Sequence, residues 1–119
     1  MITVEQAARI TEAKLWYWQR ISAMVLALCV IAHVAIMIYA VRGGLTGAEI
    51  LGRTRGSVSF AAFYGVFVLA CAVHVPVGLM RVAEEWLHLD RFLSVVLGKL
   101  FGVTILFLGL RAVYGVFTG

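Results

Sequence analysis

The stretch ISAMVLALCVIAHVAIMIYAV, Ile21–Val41, contains no charged residue, and a single imidazole, His33, lies in its middle. Roughly 20 apolar residues of helix cross a hydrocarbon core about 30 Å thick, so a run of this length reads as a membrane span. A second run, Gly56–Met80, is likewise free of formal charge and contains His74 and the only proline, Pro76. A third, about Phe92–Phe117, carries Lys99 near one end and Arg111 near the other. Long basic side chains at such places can snorkel to the headgroups.

The composition agrees with this reading. The chain has 119 residues, 63% hydrophobic and 13% charged, with a mean hydropathy of +1.01. A water-soluble domain of this size could not cover so much apolar surface. The expectation is an all-α membrane protein over residues 1–119, with three transmembrane helices at about 19–41, 58–81 and 92–117. Residues 1–15 read as a short N-terminal interfacial helix, started by Thr3 and Gln6 at capping-box spacing and followed by Trp16, Tyr17 and Trp18 at the membrane boundary. Thr46-Gly-Ala-Glu49 repeats the capping pattern in the first polar connection, which predicts one or two helical turns there. Pro76 predicts a kink and a freed carbonyl at Ala72.

The net charge of +4 is carried by single basic residues at the ends of apolar segments, and this is not a nucleic-acid signature. Arg9, Lys14, Arg20, Arg81, Arg91 and Lys99 stand on the N-terminal side; Arg42, Arg53, Arg55 and Arg111 stand opposite. This asymmetry favours a cytoplasmic N-terminus, and the expected location is a bacterial or archaeal inner membrane. Cys29 and Cys71 fall inside spans and read as small buried residues with no disulfide between them. Tyr39, Tyr64 and Tyr114 read as interface aromatics, Glu49 as a cap, and His88 as a solvated residue.

An imidazole inside the bilayer needs a partner within the protein, and neutral imidazole is a good ligand for iron. Ser22 and His33 are eleven residues apart, almost three turns, so they share a helix face. His74 and Arg81 are close to two turns apart, with Gly78 between them on the same side. One helix thus offers an axial ligand, room for something flat, and a cation for anionic propionates. His33 lies about 20 Å from the N-terminal face and His74 about 10 Å, at 1.5 Å per residue, so two separate hemes fit better than one. Arg20 and Ser22, beside the tryptophans, could hold a quinone carbonyl. The competing reading is a non-heme anchor or small transporter subunit, with the histidines in helix packing or a proton path. No span carries the further acidic residues a proton path would want.

Gln19-Arg-Ile-Ser-Ala-Met-Val-Leu-Ala-Leu-Cys-Val-Ile-Ala-His33 resembles the first-helix signature of the cytochrome b membrane-anchor subunits of the succinate dehydrogenase/fumarate reductase (complex II) family. His74-Val-Pro-Val-Gly-Leu-Met-Arg81 resembles the second-helix signature, a His, then Gly, then Arg. The likeness covers about residues 16–91. Where the family has a glycine after the serine this chain has Ala23, and where it often has a histidine before the arginine this chain has Gln19. The resemblance implies a heme b-binding anchor that passes electrons between a peripheral iron–sulfur subunit, itself joined to a flavoprotein, and membrane quinone. His74 matches the heme ligand common in the family and His33 the ligand of its two-heme members; Arg20 and Ser22 match the quinone region. Two histidines supply half of two bis-imidazole ligand sets, so the remainder would come from a second anchor subunit or a second copy of this chain.

Overall fold

A computed structural model describes all 119 residues as four helices and no strands: α1 (Val4–Gly43), α2 (Gly47–Thr54), α3 (Val58–Glu85) and α4 (Arg91–Thr118). Three of them, α1, α3 and α4, are long and apolar enough to cross a membrane, and the protein is integral to one. Only 10 residues are buried, while Leu28, Ile31, Leu69, Phe101 and Phe107 are among the large apolar side chains left exposed. Apolar side chains turned outward suit a protein whose solvent is lipid.

The N-terminal segment is helical from Val4, and its capping box is formed: Gln6 N donates to Thr3 Oγ1 at 3.1 Å and Thr3 N donates to Gln6 Oε1 at 2.9 Å. It continues without a break into the span, giving one helix of 40 residues. Nothing in the sequence interrupts it, because no proline and no glycine occurs before Gly43. Forty residues at 1.5 Å rise make about 60 Å, twice the hydrocarbon thickness, so the first turns extend past the bilayer. The second capping box also forms, with Thr46 N on Glu49 Oε2 at 2.9 Å and Glu49 N on Thr46 Oγ1 at 3.2 Å, and it starts α2. Thr46 N and Thr46 Oγ1 both donate to Glu49 Oε2 at 2.9 Å, and these two hydrogen bonds, the backbone one first, hold the Glu49 carboxyl below its ordinary pKa.

The central helix is α3, which packs against α4 on one side and α1 on the other. Its seam with α4 is built on small residues. A Cβ on Gly98 would stand 2.6 Å from the Pro76 carbonyl oxygen, and one on Gly102 would strike the Pro76 ring. Ser94, Gly98 and Gly102 are all buried, one turn apart along one face of α4. Small residues at this spacing let helix backbones close together in lipid, with Cα–H groups pointing at facing carbonyls. The proline therefore does not end α3: its ring fills the groove that the glycines leave. A Cβ on Gly102 would also lie 3.5 Å from Ala72 O, the carbonyl Pro76 cannot pair, so this glycine lets α4 cover that oxygen.

Hydrogen bonds tie the two ends of the bundle. At one end Glu12 of α1 accepts from Arg81 of α3 and, at 3.1 Å, from Arg91 at the start of α4, while Arg91 also reaches Glu84 at 2.9 Å. The hydrogen bond from Arg81 is the main cause that holds the Glu12 carboxyl below its ordinary pKa. At the other end Gly56 N donates to Phe117 O at 2.8 Å, and Arg53 Nη2 reaches Gly44 O at 2.5 Å across the α1–α2 turn.

Candidate functional site

The packing of α1 against α3 decides where the two intramembrane histidines go. The helices run antiparallel, and their register sets Ser22 opposite His74 and His33 opposite Tyr64. Ser22 is 4% exposed, and its Oγ lies 3.3 Å from His74 Nδ1 and 3.1 Å from the carbonyl oxygen of Gln19. His33 Nδ1 lies 3.2 Å from the Tyr64 hydroxyl. The imidazole also meets the rings of Tyr64 and Phe67 edge-on, both with centroids at 5.8 Å. Tyr64 is therefore not the interface aromatic its place in the sequence suggests. It is a half-buried partner that satisfies an imidazole inside the bundle.

His33 is level with Tyr64, and His74 is ten residues further along α3, so the two rings are offset by about 15 Å along the helix axis. They occupy two places, as their depths in the sequence predict. Both use Nδ1 for their contact to a hydroxyl, and neither Nε2 has a hydrogen-bond partner. The only buried side-chain polar atoms left unpaired are Gln19 Oε1 and Ser94 Oγ, so both Nε2 atoms keep accessible surface. An imidazole with one nitrogen held by the protein and the other free is arranged as metal-ligating histidines are.

A cavity of about 460 Å³ adjoins His33, lined by Tyr64, Phe67, Cys71 and Gly109, with Thr54 of α2 at its edge. Its walls are almost wholly apolar. Cys29 is buried, and both cysteines are free thiols. No cluster of three His, Cys, Asp or Glu side chains is arranged to hold a metal ion.

Of the other site residues singled out by sequence, Ser22 alone is hydrogen-bonded to an imidazole. Gly78 faces α1, where a Cβ would stand 3.2 Å from Gln19 Nε2. Arg81 is engaged by Glu12. Arg20 is exposed and lies over the Trp16 ring, 5.5 Å from its centroid, while Ser22, two residues on, turns inward. Arg20 and Ser22 thus point to different surroundings. Within this chain each imidazole has one nitrogen held by a hydroxyl and the other without a partner, while Gly78 and Arg81 serve the contact with α1. Sequence reasoning missed Glu12 as the partner of Arg81, and Ser22 and Tyr64 as partners of the histidines. It also missed the Ser94–Gly98–Gly102 stripe, although that signal stands openly in the sequence at four-residue spacing.

No family model matches the chain, and no curated protein or solved structure is detectably similar to it.

Proposed function

We propose that this chain is a heme b-binding membrane anchor subunit of a succinate dehydrogenase/fumarate reductase-like complex. In that role it passes electrons between a peripheral iron–sulfur subunit and membrane quinone. The observation that carries the reading is the pair of intramembrane imidazoles at two depths, each held at Nδ1 by a hydroxyl with an accessible, unpartnered Nε2. His74 and His33 would each supply one axial ligand to a heme b, two hemes in all, with the remaining ligands from a sister anchor or a second copy of this chain. When bound, the group supplies one-electron redox chemistry, and burial with ligand identity tunes its potential.

The chain's own part is to hold and orient. Ser22 and Tyr64 fix the two ring planes, and the apolar spans exclude water around them. Gly78 and Arg81 are assigned to the His74 site by sequence pattern, and both are held by α1 here. Arg20, exposed beside Trp16, is the polar group left accessible for a quinone carbonyl; Ser22 is engaged by His74. The excess of Lys and Arg at the Glu12–Arg81 end orients the N-terminus toward the cytoplasm of a bacterial or archaeal inner membrane. The flavoprotein and iron–sulfur subunits would dock at that end.

A reduced-minus-oxidised visible spectrum of the purified complex should show a b-type signal. His74→Ala and His33→Ala should each remove one heme. A spectrum without that signal refutes the cytochrome reading, and loss of neither heme refutes the ligand assignment. The second reading is a non-heme anchor in which both histidines only bridge helices, and the contacts to Ser22 and Tyr64 are the observation that favours it. It expects no heme in any variant.

A further inference from the structure

The hydrogen bonds around Ser22 fix more than the place of His74. A serine hydroxyl has one proton and two lone pairs. Ser22 Oγ lies 3.1 Å from the Gln19 carbonyl oxygen, which can only accept, and 3.3 Å from His74 Nδ1, which can do either. Two arrangements are open. In one, the hydroxyl donates to Gln19 O and Nδ1–H donates to Oγ, so both protons are bonded and only the Nε2 lone pair is without a partner. In the other, the hydroxyl donates to Nδ1. Oγ then faces the Gln19 oxygen lone pair to lone pair, and the ring proton sits on Nε2, which has no acceptor. In a medium without water an unpaired N–H costs free energy that nothing offsets. The first arrangement wins.

We infer that Ser22 is a positioning residue that holds His74 as its Nδ1–H tautomer, leaving Nε2 as a bare lone pair on the accessible side of the ring. That is the protonation state an imidazole needs to bind a metal through Nε2. The inference goes beyond the sequence pattern, which sets Ser22 at a quinone. His33 differs, because Tyr64 OH has no second partner. The phenol proton there is free to point either way, so the same constraint is missing. The tautomer rests on these contacts alone; its consequence at iron rests on the proposed heme role.

The test is nitrogen NMR of the full-length chain in lipid nanodiscs, labelled with ¹⁵N at its three histidines and assigned by losing one signal in His74→Gln. His74 should show a protonated, pyrrole-type Nδ1 and an unprotonated, pyridine-type Nε2. Ser22→Ala should shift the proton away from Nδ1, and Ser22→Thr, which restores a hydroxyl that can bond the same carbonyl, should return it. Circular dichroism of each variant identifies loss of fold. His74 protonated at Nε2 in the wild type, or a tautomer indifferent to Ser22→Ala in a folded chain, overturns the inference. Titration with ferric heme is read separately: Ser22→Ala should bind about 10–100-fold more weakly, the usual cost of losing such a partner. An Nδ1–H His74 together with no b-type signal in the purified complex supports the positioning role and refutes the heme reading.

Discussion

Gly98→Ala is the smallest change that tests how α3 and α4 are held together. The new methyl would lie 2.6 Å from the Pro76 carbonyl oxygen and 3.3 Å from its carbon, where ordinary contact begins at 3.4 Å. Both atoms are backbone, on the helix α3 itself, so no side chain can swing aside. The seam must open by about 0.8 Å, and a gap of that size forfeits a quarter to a half of each dispersion contact along it. Overpacking of this kind costs about 1–3 kcal/mol. Alanine also raises helix propensity by about 1 kcal/mol over glycine, which masks part of the effect. Gly65→Ala removes that ambiguity. It makes the same chemical change within α3, where nothing lies within 4 Å of the added carbon. The difference between the two variants is therefore the packing term alone, about 1–3 kcal/mol against Gly98→Ala. Unfolding in mixed micelles of rising dodecyl sulfate fraction, followed by circular dichroism, measures it. If Gly98→Ala is as stable as Gly65→Ala, the α3–α4 seam is not the close backbone contact described above.

Acid should loosen the Glu12 clamp. The Glu12 carboxyl is held below its ordinary value of 4.5, chiefly by the hydrogen bond from Arg81. Its contribution is therefore complete above pH 4.5 and is lost as the pH falls through the lower folded value. The side chains are 37–48% exposed, so each pair is worth only about 0.2–1 kcal/mol and is weakened by salt. Spin labels at Ala8 and Leu87 should separate below that pH, and Glu12→Gln should separate them at neutral pH; an unchanged distance in Glu12→Gln contradicts the clamp. Gly44→Ala should lower thermal stability by about 1–3 kcal/mol, because φ is +110° there and a Cβ would collide with the Glu49 carboxylate of the α2 capping box. A melting midpoint equal to wild type by circular dichroism would count against that turn.

What was legible in the sequence was whatever a single helix carries within itself. The three apolar lengths, both capping boxes and the different depths of His33 and His74 are properties of local spacing, and the structure has all of them. The partners were not legible, because they depend on the rotation and register of one helix against another. Ser22 meets His74 across 52 positions of chain, and Arg81 meets Glu12 across 69. Gly78 illustrates the limit. A glycine beside an intramembrane histidine reads equally as room for a flat cofactor or as a seat for a neighbouring helix, and α1 takes the seat through Gln19. The N-terminal helix is similar: its amphipathic face says that it can lie on a surface, while the missing breaker between residues 4 and 43 makes it one rod with the span.

The antiparallel register also explains why the two imidazoles cannot be one site. To bring His33 level with His74, α1 would have to slide about ten residues along α3, nearly three turns of helix. Such a slide would break both histidine contacts and carry Glu12 away from Arg81 and Arg91. Packed helix seams do not deform continuously; they exchange between discrete arrangements, and a three-turn shift would mean repacking the whole pair. Any group bound at one Nε2 is thus held about 15 Å along the axis from a group bound at the other, whatever those groups are. The bundle fixes that separation through the hydrogen bonds that satisfy the two rings, so the spacing of the histidines and the stability of the α1–α3 pair have one common cause.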